Sequence, residues 1–129
     1  STPSNSSAAS DVYKRQIMEC TVSTELWISA SHQLPNYMGK CSNLHGHNWK
    51  VKVWVRGEIN QTTGMVIDFT EFKNKINTLD HIHLNDIIPN PTAENIAVYI
   101  YNLLKTPNRK IKVRVYESVK SYAEVGDKF

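Results

Sequence analysis

The chain has 129 residues, 40% of them apolar and 21% charged, with a formal net charge of +3, the profile of one ordinary globular domain. No apolar run approaches the roughly 20 residues that span a bilayer, which argues against a membrane protein, and the dispersed Lys and Arg residues argue against nucleic acid as a partner. Two cysteines, Cys20 and Cys41, are too few for a disulfide framework and point to a reducing cytoplasm.

The opening stretch STPSNSSAASDVYKRQ has no apolar period and lacks the apolar centre of a signal peptide. Residues 1–17 are therefore expected to be a disordered, non-native leader, with Met18 as the natural start and residues 18–129 as one domain. CTVSTELWISASH (20–32) alternates with period two: Val22, Thr24, Leu26, Ile28 and Ala30 share a face with His32 at its end. Cys20 reads as a small core residue of that strand. HGHNWKVKVWVRG (45–57) alternates more clearly, with His45, His47, Trp49, Val51, Val53 and Val55 on one face. If the two segments pair as an antiparallel hairpin, His32, His45 and His47 meet on its inner face. Cys41 then lies on the loop above them.

GEINQTTG reads as a turn and MVIDF as a short extended segment. Phe69, Phe72, Ile76 and Leu79 recur at helical spacing, ending near Asp80–His81. HIHLNDIIPNP (81–91) is an irregular loop, on which His83 reads as a solvated side chain. Thr92 reads as the N-cap of a second helix, with Glu94 in its first turn and Ile96, Tyr99, Ile100, Leu103 and Leu104 as its apolar stripe. IKVRVYESV (111–119) is a strand in which Glu117 shares the parity of Ile111, Val113, Val115 and Val119. A carboxylate there needs either solvent or a partner. SYAEV can continue the sheet after a bend. Antiparallel strands with two helices on one face make an α+β domain.

Three neutral imidazoles make a familiar catalytic zinc sphere with a position left for water or substrate. The spacing of His45 and His47 suits this, because alternate strand residues share a face, and Gly46 between them leaves room for close packing. Cys41 can be read as a fourth ligand, closing the site, or as a free thiol with a lowered pKa that acts as base or nucleophile. Spacing leaves both open. Asp80–His81 reads as a proton-handling pair or as a cap on the end of a helix. Glu117 can hold a heterocycle that offers adjacent N–H donors. Lys40, Lys50, Lys52 and Arg114 suit an anion or an ordinary solvated sheet face equally.

ISASHQLP, CSNLHGHN, TGMVIDF, LDHIHLND, NPTAEN and VRVYES occur in this order over about residues 19–125. Together they resemble the 6-pyruvoyltetrahydropterin synthase superfamily. The Cys-x3-His-Gly-His spacing is most similar to its bacterial branch, the 6-carboxy-5,6,7,8-tetrahydropterin synthases of queuosine biosynthesis. The resemblance implies a T-fold, in which subunits assemble through their sheets into a barrel, commonly a hexamer, with active sites at subunit interfaces. It implies 7,8-dihydroneopterin triphosphate as substrate and zinc held by His32, His45 and His47. Cys41 would be the general base with Asp80 and His81 as relay, Glu117 the pterin anchor, and Thr92 and Glu94 the border of the same pocket. The bacterial-type reaction releases acetaldehyde and triphosphate. A pyruvoyl product without carbon–carbon cleavage, or a non-catalytic zinc- and pterin-binding module, are the alternative readings. Two departures from the family pattern are a short segment before LDH and a histidine at position 83.

Overall fold

The computed structural model describes residues 18–35, 39 and 43–129. Residues 1–17, Lys40 and Cys41 lie outside the described residues, so the expectations placed on them are neither met nor missed.

The two alternating segments form a long hairpin, β1 (Glu19–His32) and β2 (His45–Glu58), paired without a break from Glu19↔Glu58 to His32↔His45. β3 (Lys110–Tyr116) and β4 (Tyr122–Gly126) extend it to a four-stranded antiparallel sheet in the order β1-β2-β3-β4. Two helices, α1 (Phe69–Ile76) and α2 (Ala93–Leu104), complete the α+β fold.

The core follows from the period-two pattern. Ile28, Trp49, Val51, Val53, Val55, Ile111, Val113 and Val115 leave almost no surface to solvent. α2 lays Ile96, Ala97, Ile100 and Leu104 onto β3 and β4, and α1 adds Phe72 and Ile76. Each large side chain buried in this way contributes about 1.5–3 kcal/mol. The opposite sheet face carries cations laid over aromatic rings, with Lys50 bonded to Glu25 at 3.2 Å and Arg114 to Glu124 at 2.8 Å.

MVIDF, read as a short extended segment, leads irregularly into α1: Ile67 is buried, and Asp68, in extended backbone, caps the helix by accepting from the Thr70 N–H at 2.9 Å. Three sequence expectations need correction. β3 stops at Tyr116, so Glu117 leaves the ladder and its N–H bonds Ser121 O at 3.0 Å. Val119, expected on the buried face, is 91% exposed beyond the strand end. Cys20 is half-buried rather than a core residue. After Ile76 a 3-10 turn (Asn77–Leu79) carries the chain to Asp80, close to the expected helix end.

The far end of the sheet is fastened by Asp127. Its carboxylate accepts from Tyr101 Oη at 2.6 Å, Lys105 Nζ at 2.6 Å and the Ile111 N–H at 2.9 Å, tying the end of α2 to the start of β3. The preceding Gly126 has φ 147°, and a Cβ there would lie 2.6 Å from Lys112 Cα, so no other residue fits. Desolvation pushes the Asp127 carboxyl up, but the bonds from Lys105, Tyr101 and Ile111 outweigh it and hold the group at about 2. A carboxyl whose folded value lies below its unfolded one stabilises the fold above the unfolded value, and that stability is lost as pH falls through the folded value. Asp127→Asn is expected to destabilise the domain by about 1–2 kcal/mol at pH 7 and to flatten the loss of stability between about pH 4 and pH 2. Urea unfolding across that pH range checks both.

Candidate metal centre

The last rungs of the β1–β2 ladder build the site. His32 stands directly opposite His45, and Ala30 opposite His47, so the inner face at this end of the hairpin carries three imidazoles and one small side chain. The rings lie 4.4–5.0 Å apart, edge to face, and their ligand nitrogens all fall within 4.8 Å of one another. Below them Trp49 packs edge-on against His32 at 5.0 Å and His47 at 4.9 Å, and donates its indole N–H to Ala30 O at 3.3 Å. The trio therefore rests on the hydrophobic core.

Hydrogen bonding sets the chemistry of the trio. His32 Nδ1 faces Pro91 O at 2.7 Å and His45 Nδ1 faces Asn43 O at 2.7 Å. Carbonyl oxygens only accept, so both Nδ1 atoms carry the proton. In the neutral rings both Nε2 atoms are then bare, yet they stand 2.8 Å apart. Two lone pairs at that distance repel unless a cation lies against them. A proton would supply one only by placing an imidazolium where burial opposes it. Burial is the main reason His32 is held below its ordinary value of 6.5; His45 adds to that, while the Pro91 bond and Glu117 pull the other way. His47 is lowered for the same first reason, and its buried Nε2 has no partner among the described residues. Three imidazoles, two of them with Nδ1 locked by backbone carbonyls, offer a donor set that could hold a divalent metal ion.

The other predicted residues fall around this centre. Glu117 sits at the turn after β3, close enough for its charge to act on both His32 and His47. With Glu94 and Ala93 it lines a groove of about 460 Å³ between the start of α2 and the β3–β4 turn. The Thr92 hydroxyl is engaged as the cap of α2, accepting from the Asn95 N–H at 3.1 Å.

Asp80 and His81 lie along the free edge of β1. The Ser29 N–H donates to Asp80 Oδ1 at 2.7 Å, and Asp80 Oδ2 meets His81 Nδ1 at 2.9 Å. The Ser29 bond is the main reason the carboxyl is held below its usual range; desolvation opposes it and the His81 contact assists. The Asp80 contact orients Nδ1, and the ring stands 80% exposed. His81 itself adopts φ 58°, a left-handed backbone that a bulky side chain takes only when its surroundings enforce it.

Several contributors escaped the sequence. The carbonyls of Pro91 and Asn43 leave no residue-type signature, and Trp49 reads simply as core. His83 is not a solvated loop side chain: it is half-buried, and its Nδ1 meets Ser31 Oγ at 3.0 Å. Gly46 is not needed for close packing, since a Cβ there would meet only Ala30 O at 4.0 Å. It helps instead to form a cleft of about 510 Å³ with Ser31, Asn48, His81 and His83.

The family model for 6-pyruvoyl tetrahydropterin synthase matches residues 21–128. The chain belongs to this family. It is 40% identical over 92 residues to the 6-carboxy-5,6,7,8-tetrahydropterin synthase of Synechocystis, covering 63% of this chain and 71% of that one. It is 38% identical over 125 residues to the human 6-pyruvoyl tetrahydrobiopterin synthase, covering 78% and 86%. The structure of Caenorhabditis elegans 6-pyruvoyl tetrahydropterin synthase superposes with a TM-score of 0.72 at 27% identity, covering 87% of this chain and 98% of that one. These likenesses establish the T-fold, whose sheet and helices are those described above. Among the described residues no helix is long and apolar enough to cross a membrane.

Because the three ligand nitrogens lie within 4.8 Å of one another, a metal ion held there would depend on every ring. His32→Ala, His45→Ala and His47→Ala are each expected to lower bound metal at least about tenfold, measured by elemental analysis after dialysis against limiting zinc. The fold of His47→Ala is expected to survive, since its Nε2 has no hydrogen-bond partner to lose among the described residues.

Proposed function

We propose that this protein is a zinc-dependent 6-carboxy-5,6,7,8-tetrahydropterin synthase, a lyase that takes 7,8-dihydroneopterin triphosphate and water to 6-carboxytetrahydropterin, acetaldehyde and triphosphate. The observation that carries the reading is the pair of bare Nε2 atoms 2.8 Å apart, with a third beside them that has no partner among the described residues. His32, His45 and His47 would hold zinc, and Cys41 is read as base rather than ligand. Bound zinc would polarise the hydroxyl and carbonyl oxygens of the substrate side chain. Cys41 takes protons from that side chain, and Asp80 orients His81 to return and relay them. Glu117 accepts N–H bonds from the pterin ring, and the groove it shares with Glu94 gives the heterocycle a place to lie. Thr92 contributes by fixing the start of α2.

His81 stands out in solvent on the edge of β1, whereas the trio is on the core side of the sheet. A site completed by a neighbouring subunit would reconcile the two, and supports reading the protein as a homo-oligomer, a hexamer on the family pattern. The cysteine usage is consistent with the cytoplasm, and the resemblance of the CSNLHGH spacing to the bacterial branch supports queuosine biosynthesis as the setting. The CSNLHGH spacing favours the carboxy product. The comparable identity to animal 6-pyruvoyl tetrahydrobiopterin synthases keeps the pyruvoyl product as the second reading.

Incubating the zinc-loaded protein with 7,8-dihydroneopterin triphosphate and weighing the products by mass spectrometry separates the two. Acetaldehyde with a 6-carboxypterin is expected; a pyruvoyl product supports the second reading, and no turnover would leave only a binding module. Cys41→Ala is expected to lower kcat by about 10²–10⁴-fold while retaining zinc. Loss of the metal in that variant would make Cys41 a ligand.

A further inference from the structure

Building on the proposed roles of Asp80 and His81, we infer that His83 is a positioning residue for that pair, acting through the Ser31 hydroxyl. The segment carrying the pair runs as a short ribbon along the free edge of β1. It is tied there by His81 N–H to Ser29 O at 2.6 Å, by Ser31 N–H to Ile82 O at 3.1 Å, and by the Ser29 N–H to the Asp80 carboxylate at 2.7 Å. A parallel bridge between Ser31 and His83 closes the ribbon.

Within this short run His81 holds φ 58°, so its geometry depends on both flanks being fixed. Upstream the fixing group is Asp80. Downstream it is His83, whose ring meets Ser31 Oγ at 3.0 Å. His83 precedes the 3-10 turn Leu84–Asp86, where a side chain would commonly cap the turn. Its ring makes no capping bond and turns to β1 instead. Leu84, fully buried, anchors the next residue.

Ser31 is the immediate neighbour of His32, so the clasp joins the ribbon to the strand position beside the metal centre. Of these ties among the described residues, the His83–Ser31 contact alone runs between two side chains. It can be cut by substitution while every backbone bond stays possible. His81 and His83 also face the same cleft, so slack at position 83 would be felt at the exposed ring of His81. A ring that must meet a proton donor or acceptor within hydrogen-bond reach loses rate steeply when misplaced, even if substrate still binds.

The test uses the full zinc-loaded chain and steady-state turnover of 7,8-dihydroneopterin triphosphate, with metal content and melting temperature measured alongside. His83→Ala is expected to lower kcat about tenfold, with KM changed less than about twofold and zinc retained. His83→Asn, whose amide can reach Ser31 from nearly the position of Nδ1, is expected to recover most of the rate. Ser31→Ala is expected to show the same loss as His83→Ala, and the double variant no more than either alone. A kcat for His83→Ala equal to wild type overturns the inference, as does His83→Asn no better than His83→Ala or losses that add. If His83→Ala fails to fold, Ser31→Ala decides: the same loss supports the clasp, and a wild-type rate overturns it. Wild-type protein without turnover overturns the proposed function and this inference with it, whereas normal wild-type turnover with unaffected variants overturns this inference alone.

Discussion

Two backbone carbonyls govern what the inner end of this sheet can hold. Pro91 O and Asn43 O each accept a hydrogen bond from a histidine Nδ1–H, and the opposite nitrogens are left bare and facing one another. Everything else at the site follows from where those carbonyls come from. Pro91 stands just before the start of α2, so seating that helix on the sheet also orients His32. Asn43 belongs to the end of the β1–β2 connection, so closing the hairpin orients His45. A desolvated, proton-poor nitrogen cluster is costly in an apo protein and becomes favourable when a cation binds. Folding thus builds a site whose cost a bound cation would offset.

The same two events place the surrounding groups. α2 packs against β3 and β4, which brings Glu94 beside Glu117 at the mouth of the groove next to the trio. The edge of β1 left free by the hairpin receives the Asp80–His83 ribbon through backbone bonds. An edge strand is an aggregation hazard unless it is covered. Here part of that cover is the segment that carries the proposed relay, so protection of the edge and presentation of His81 are one arrangement.

Most of the architecture was legible in the sequence because the long strands alternate so regularly. The parity that placed Val51, Val53 and Val55 inward also placed His45 and His47 inward, and the hairpin register then brought His32 opposite. Period two says nothing about where a strand stops, and so β3 was read past Tyr116, putting Val119 on the wrong side of the surface. In MVIDF the buried Ile67 packs from an irregular segment leading to a capped helix, so no period marks its place in the core. The Pro91 carbonyl on His32, the His83–Ser31 contact and the Asp127 fastening depend on residues about 16 to 60 positions apart coming together, which no local pattern encodes, and the Asn43 carbonyl beside His45 is backbone with no residue-type signature. Cys41 remained a choice between base and ligand because its spacing to His45 suits both.

In the proposed site the metal is held by three imidazoles and by no sulfur. X-ray absorption at the zinc edge of the loaded wild-type protein tests it most directly. A first shell of nitrogen and oxygen at about 2.0–2.1 Å with imidazole outer-shell scattering is the expected result. A sulfur scatterer at about 2.3 Å, the distance of a thiolate ligand, would contradict it.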